Sequence, residues 1–174
     1  MDLSFSGNDA AETSMKPALA LAATLVVAGF AVPAAAAHGD RHFLENALKG
    51  ENSEMMLGSL AAERGASPEL RDFGRTLRDD HARARDQTVP LARREGVPIT
   101  QAPMPEAASE RRKLERLHGR AFDREFARYM VKDHRKDIAE FEAQARRRGP
   151  AGDLAQAILP DLRKHLDMAR RLAG

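Results

Sequence analysis

Two Asp-His pairs stand in the same sequence context, 53 residues apart. Phe73-Gly74-Arg75-Thr76-Leu77-Arg78-Asp79-Asp80-His81 reappears without a gap as Phe126-Ala127-Arg128-Tyr129-Met130-Val131-Lys132-Asp133-His134. The match runs on to Ala92-Arg93-Arg94-Glu95-Gly96 against Ala145-Arg146-Arg147-Arg148-Gly149. A gapless match at helical spacing means two helices that carry the same Asp-His at the same height. His165 joins them by counting, because His134 and His165 are nearly equidistant from the Gly149-Pro150-Ala151 turn. Glu54 and Glu51 lie 11 and 14 residues before Gly65, and His81 lies 14 after Ser67, so Glu51 is nearest in height to His81. At about 1.5 Å per residue all these groups fall within roughly two turns of one another.

Imidazole and carboxylate gathered at one level of a helical core are the materials of a metal site for copper, iron or zinc. The candidate ligands are Glu54, His81, His134 and His165, with Glu51, Asp80 and Asp133 beside them. Met130 and Met168 offer a softer variant. Met130 precedes His134 by four residues and Met168 follows His165 by three, and thioether with imidazole favours Cu(I). The competing expectation is a structural core. Methionine fills gaps in helical interiors, and a buried histidine is satisfied by a neighbouring carboxylate or carbonyl. A carboxylate-bridged di-iron centre is not expected. The residues three before the histidines are Arg78, Val131 and Leu162, so the Glu-x-x-His motif is absent. No phosphate loop and no nucleophile elbow occurs, and Ser53, Ser59, Ser67 and Ser109 lack a catalytic context, so the reading leans away from an enzyme.

The elements that must position these groups are all helical. The first helix is predicted over 40–64, with Leu44, Ala47, Leu48, Met55, Gly58 and Ala62 on one face. Ser67-Pro68-Glu69 supplies a cap, a first-turn proline and an early acid, starting a helix that runs to about 95. Its inward face is Leu70, Phe73, Leu77, Ala84, Thr88 and Leu91, and Pro90 should kink or loosen its last turn. A proline-rich connection then carries a short helix over 106–117. The third long helix spans about 120–148, and Asp153 is the expected cap of the last one. Two tight links and one long middle link predict an all-α, ferritin-like four-helix bundle, with the crossover between helices 2 and 3 carrying the short extra helix.

The ends and the composition narrow the setting. Met15-Lys16, an apolar run and an Ala-x-Ala site near Ala36 or Ala37 read as a signal peptide over 1–37, with translation starting at Met15. Residues 38–174 are then the mature domain, periplasmic or secreted, and carry no transmembrane segment. Without Asp2, Asp9, Glu12 and Lys16 it holds 27 basic and 23 acidic residues, interleaved along helical faces, so nucleic acid is not an expected partner. A protein partner or homo-oligomer is left open. Cysteine is absent, which removes thiolate ligands and disulfides.

Taken as a set, Phe43-Leu44, Ala47, Glu54, Leu57-Gly58, Ser67-Pro68-Glu69-Leu70, Asp80-His81, Tyr129-Met130-Val131, Asp133-His134, Phe141-Glu142 and Leu159-Pro160-x-Leu162-x-x-His165 resemble the domain of unknown function 4142 (DUF 4142). The resemblance covers about 40–172. It implies a ferritin-like bundle, exported, mostly bacterial and often labelled an outer-membrane protein, with no established activity. It also implies Glu54 as the acidic position to carry over, where height prefers Glu51. The expectation is a non-enzymatic periplasmic bundle, a binding or envelope-stress protein with a buried His/Asp/Glu network. The alternative is a metal-binding protein that uses His81, His134, His165 and Glu54.

Overall fold

The computed structural model describes the backbone of residues 34–174 and the side chains from residue 39 onward. Five helices follow in order, α1 (Ala34–Arg64), α2 (Pro68–Arg94), α3 (Pro105–Leu114), α4 (Gly119–Ala145) and α5 (Pro150–Ala173), and no strand occurs among the described residues. The expected leader lies outside the described residues, apart from Ala34–Ala37, which form the first turn of α1. The helix therefore begins before residue 40, because the alanine run is as strong a helix former as the sequence behind it.

The other boundaries follow their capping chemistry. Ser67 Oγ accepts the Leu70 N–H at 3.2 Å and Pro68 takes the first position of α2. Pro90 does not end α2, which continues to Arg94. Pro90 is exposed, so the carbonyl it fails to bond can turn to water. Asp153 is not the cap of α5. Gly149 holds that position with φ of 118°, Pro150 follows it, and Asp153 sits in the first turn. A left-handed glycine followed by proline already reverses the chain there, leaving no capping role for an aspartate three residues on.

Neighbouring helices run antiparallel. Glu51 meets His81 between α1 and α2, Arg163 meets Glu142 between α5 and α4, and Phe43 packs edge-on against Phe141 between α1 and α4. The α1–α2 crossing is the tightest. A Cβ on Gly74 would stand 2.5 Å from the Ala62 nitrogen and 2.6 Å from the Gly58 carbonyl oxygen, so the two backbones touch. α1 and α4, by contrast, meet only sparingly along their length.

The chain between α2 and α3 straps across this molecule rather than hanging free. Asn52 Nδ2 donates to the Thr100 and Ala102 carbonyls at 3.0 and 3.1 Å, and Arg85 donates to Asn52 Oδ1 and to Thr100 O. Ser53 Oγ accepts the Met104 N–H at 2.9 Å, which delivers α3 against α1. Ala107 and Leu114 are the buried residues of α3.

The core is divided in two. One apolar cluster gathers Leu44 and Leu48 of α1, Leu91 of α2, Phe141 of α4 and Ile158 and Leu162 of α5. The other gathers Leu57, Phe73, Leu77, Phe126, Met130 and Ala169 from the same four helices. On every long helix a buried charged or imidazole group falls between the stretches that build these clusters: Glu51 and Glu54, Asp80 and His81, His134, and His165. Among the described residues no helix is long and apolar enough to cross a membrane.

Candidate metal centre

The polar layer exists because each of the four long helices interrupts its apolar stripe at one shared height. His81, His134 and His165 are 4%, 0% and 1% exposed, and one nitrogen of each lies within 4.8 Å of the others. Their ring centroids are 5.2 to 6.0 Å apart. All three histidines nominated from the sequence are therefore brought together.

Their tautomers follow from their partners. His81 Nδ1 lies 2.7 Å from Glu51 Oε2, His134 Nδ1 lies 3.1 Å from the Met130 carbonyl oxygen, and His165 Nε2 lies 2.7 Å from Asp80 Oδ2. Carbonyl and carboxylate oxygens accept, so each of these ring nitrogens carries the proton and donates it. The other nitrogens, His81 Nε2, His134 Nε2 and His165 Nδ1, are left with a lone pair each, buried and without a hydrogen-bond partner. Burial, followed by the neighbouring histidines, holds the His134 imidazole well below its usual range. Burial and the proximity of His81 bring His165 down to about 4, against the upward pull of Asp80. Both rings are neutral at neutral pH, which is the form that binds metal.

Asp80 is compensated on every side. Besides His165 it pairs with Arg83 of its own helix and Lys164 of α5. Burial alone would raise its carboxyl, but the hydrogen bonds from Lys164 and His165 outweigh burial and hold it at about 2. Asp133, its counterpart in the sequence repeat, has a different neighbour. It faces Glu54, whose two carboxylate oxygens are buried with no hydrogen-bond donor. Burial first, and then the charge of Asp133, pushes the Glu54 carboxyl well above its usual range. Asp137, one turn beyond Asp133, is raised in the same way by burial and by Asp133.

Glu54 is thus not part of the imidazole group, and Glu51 serves it by orienting His81. Met130 contributes its backbone carbonyl to His134, while its side chain, with Met168, packs on the Phe73 and Phe126 side of the core. A pocket lies between α1 and α4 beneath the start of α3, lined by Glu51, Glu106, Asp133, Asp137 and Glu140 among acids, by Lys136, and by His81. Sequence reading missed Asp137 and Tyr129, although both stand on the same face as Asp133, at four residues on either side. It also missed Asp123, which accepts the Ala66 and Ser67 N–H groups at 2.8 and 2.9 Å and so ties the α1–α2 turn to α4.

The family model described as "Domain of unknown function (DUF4142)" matches residues 26–172. No curated protein and no solved structure matches the chain.

Proposed function

We propose that this chain, which belongs to the DUF4142 family, is a metal-binding protein that holds one transition-metal ion on His81, His134 and His165. The observation that carries the reading is the set of three buried imidazole nitrogens whose lone pairs have no donor. Each opposite nitrogen is fixed by a carboxylate or carbonyl, the outer support usual for metal-bound histidine. Lone pairs crowded in an apolar core repel one another, and a cation removes that cost. A tetrahedral ion with nitrogens at about 2.1 Å needs them about 3.4 Å apart, so binding draws the three rings inward.

Three neutral nitrogen ligands suit Zn(II), Cu and Fe(II) rather than magnesium or calcium. The reading is of binding rather than catalysis, since the orphaned imidazole nitrogens account for a bound ion and call for no reacting group. The four long helices with a strapped crossover support a ferritin-like four-helix bundle. The basic residue, apolar run and Ala-x-Ala of residues 15–37 support export to the periplasm. There the protein would hold or buffer a metal, in keeping with an envelope-stress role.

One observation favours a second reading, a purely structural network. The Glu51–His81 contact joins α1 to α2, and Asp80–His165 joins α2 to α5, so both fix helix register. That reading leaves the three donor-less nitrogens unexplained. The test is elemental analysis of the untagged full chain, followed by titration with Zn(II), Cu(I) and Fe(II) while the melting temperature is followed. Metal near one equivalent per chain, and a rise of roughly 10 °C when one ion is at about 1,000 times Kd, is expected. Absence of metal together with an unchanged melting temperature for all three ions would leave the structural network as the function of these residues.

A further inference from the structure

The two Asp-His pairs of the repeat have become unequal, and the inequality points to a second ligand. From α5, Asp80 is met by Lys164 and His165, with Arg83 closing the third side. From α1, Asp133 is met by Glu54, which follows Ser53 in the chain, so an acid stands where the other pair finds a base. Glu54 is 1% exposed and neither oxygen has a donor. Asp137 lies one turn along α4, close enough to Asp133 and to Glu51 for their charges to act on it. The result is two facing pairs of carboxylates, Glu51 and Glu54 on α1, Asp133 and Asp137 on α4. They meet along the seam between α1 and α4, whose backbones stand farther apart than those of α1 and α2.

Three of the four, Glu51, Asp133 and Asp137, line the pocket between these helices, so the cluster has a path to solvent. Lys136 is the basic side chain on the pocket wall, and its charge acts on Asp137. It does not hydrogen-bond Glu54, whose oxygens remain without a donor.

We propose that Glu54, Asp133 and Asp137, with Glu51 at their edge, form a second cation site between α1 and α4 that takes a hard divalent cation of the manganese, magnesium or calcium class. All the donors are carboxylate oxygens, the ligand set of hard ions, whereas the neighbouring imidazoles select softer ones. A divalent ion there supplies the positive charge that Asp80 receives from Lys164 and Arg83. The inference does not rest on the imidazole reading, since no histidine nitrogen belongs to this set.

The test uses Mn(II), counted by loss of the free-ion electron paramagnetic resonance signal, on the full chain in three forms: wild type, E54Q and H134A. Wild type is expected to bind one Mn(II) with Kd on the order of 10 µM. E54Q should weaken this at least tenfold, and H134A should leave it within about threefold. Glutamine keeps the volume of glutamate and, like the protonated carboxyl that burial and Asp133 favour there, carries no charge beside Asp133, so E54Q should melt no lower than wild type without cation. Should E54Q fail to fold, D137N takes its place with the same expectation. Mn(II) left free at 1 mM wild-type protein would overturn the proposal. So would binding unaltered in E54Q, or lost in H134A and kept in E54Q, which would place the ion on the imidazoles.

Discussion

Replacing Asp80 by asparagine separates the two things this side chain does. Asp80 is 6% exposed and receives hydrogen bonds from His165, Lys164 and Arg83. Its carboxyl falls from 3.8 to about 2 in the folded protein, which caps its contribution at about 2.5 kcal/mol. Arg83 and Lys164 reach it from the surface and are screened by water, so about 1–2 kcal/mol is the expected loss at pH 7. The sign of the pH dependence is fixed. The folded carboxyl is the stronger acid, so its stabilisation is complete above about pH 4 and disappears as pH falls through 2. Urea unfolding of the metal-free chain should show D80N less stable by that amount at pH 7, with the two proteins converging in strong acid. Asparagine can still accept the proton of His165 Nε2, so the tautomer survives while the support weakens. Zinc affinity should fall about 10- to 100-fold. Equal stability at pH 7, or a stability gap that persists unchanged at pH 2, would refute the electrostatic account of Asp80.

Four further outcomes follow from the packing and the charges. G74A should lose at least about 2 kcal/mol despite the better helix propensity of alanine, because its Cβ meets backbone atoms of α1 at 2.5 and 2.6 Å. G50A, with nothing within 4 Å of the new Cβ, should gain about 0.5–1 kcal/mol; a melting curve on each decides. Metal-free protein should lose stability between pH 6.5 and about 4, by about 2–3 kcal/mol from His165 alone. The unfolded imidazole takes its proton at 6.5 and the folded one only near 4, so a urea midpoint flat across that window would contradict the burial argument. N52A removes two anchors of the 97–104 strap, at the Thr100 and Ala102 carbonyls, and the acceptor for Arg85, leaving Arg85–Thr100 and Ser53–Met104 in place. It should cost about 2–3 kcal/mol and, by loosening the strap on either side of Ala102, speed hydrogen exchange at the Met104 amide that Ser53 holds; unchanged exchange would show that Ser53 and Arg85 suffice to hold the strap.

The helices and the convergence of the histidines were legible because both are periodic. Apolar stripes and one polar interruption per helix survive in a string of letters, and counting from Ser67 or Gly65 gives height without coordinates. Direction about the helix axis is less well preserved. Height alone put Glu51 beside His81, and that contact is present, while the family resemblance pointed to Glu54, which serves a different cluster. The unlike duties of Asp80 and Asp133 were hidden, because identical local sequence says nothing of which neighbour arrives from another helix. Gly58 and Gly74 gave no sign of backbone contact, since a glycine in a helix stripe reads the same whether the space beside it is open or filled. Asn52 was invisible for the opposite reason. Its three bonds go to loop carbonyls and an arginine that only the strap's course brings near.

The glycine crossing of α1 and α2 also decides how this molecule can breathe. Two helices in backbone contact slide or part only by losing packing over a long stretch, so that hairpin moves as one stiff beam. On its other side α1 meets α4 through side chains rather than backbone, along a pocket rich in carboxylates. That seam is therefore where a rocking of one beam about the α2–α5 contact is expected, since it would widen the acidic side and spare every helical hydrogen bond. Ions of either class would exchange with solvent at the rate of that rocking, and a ligand spanning the seam would act as its clasp.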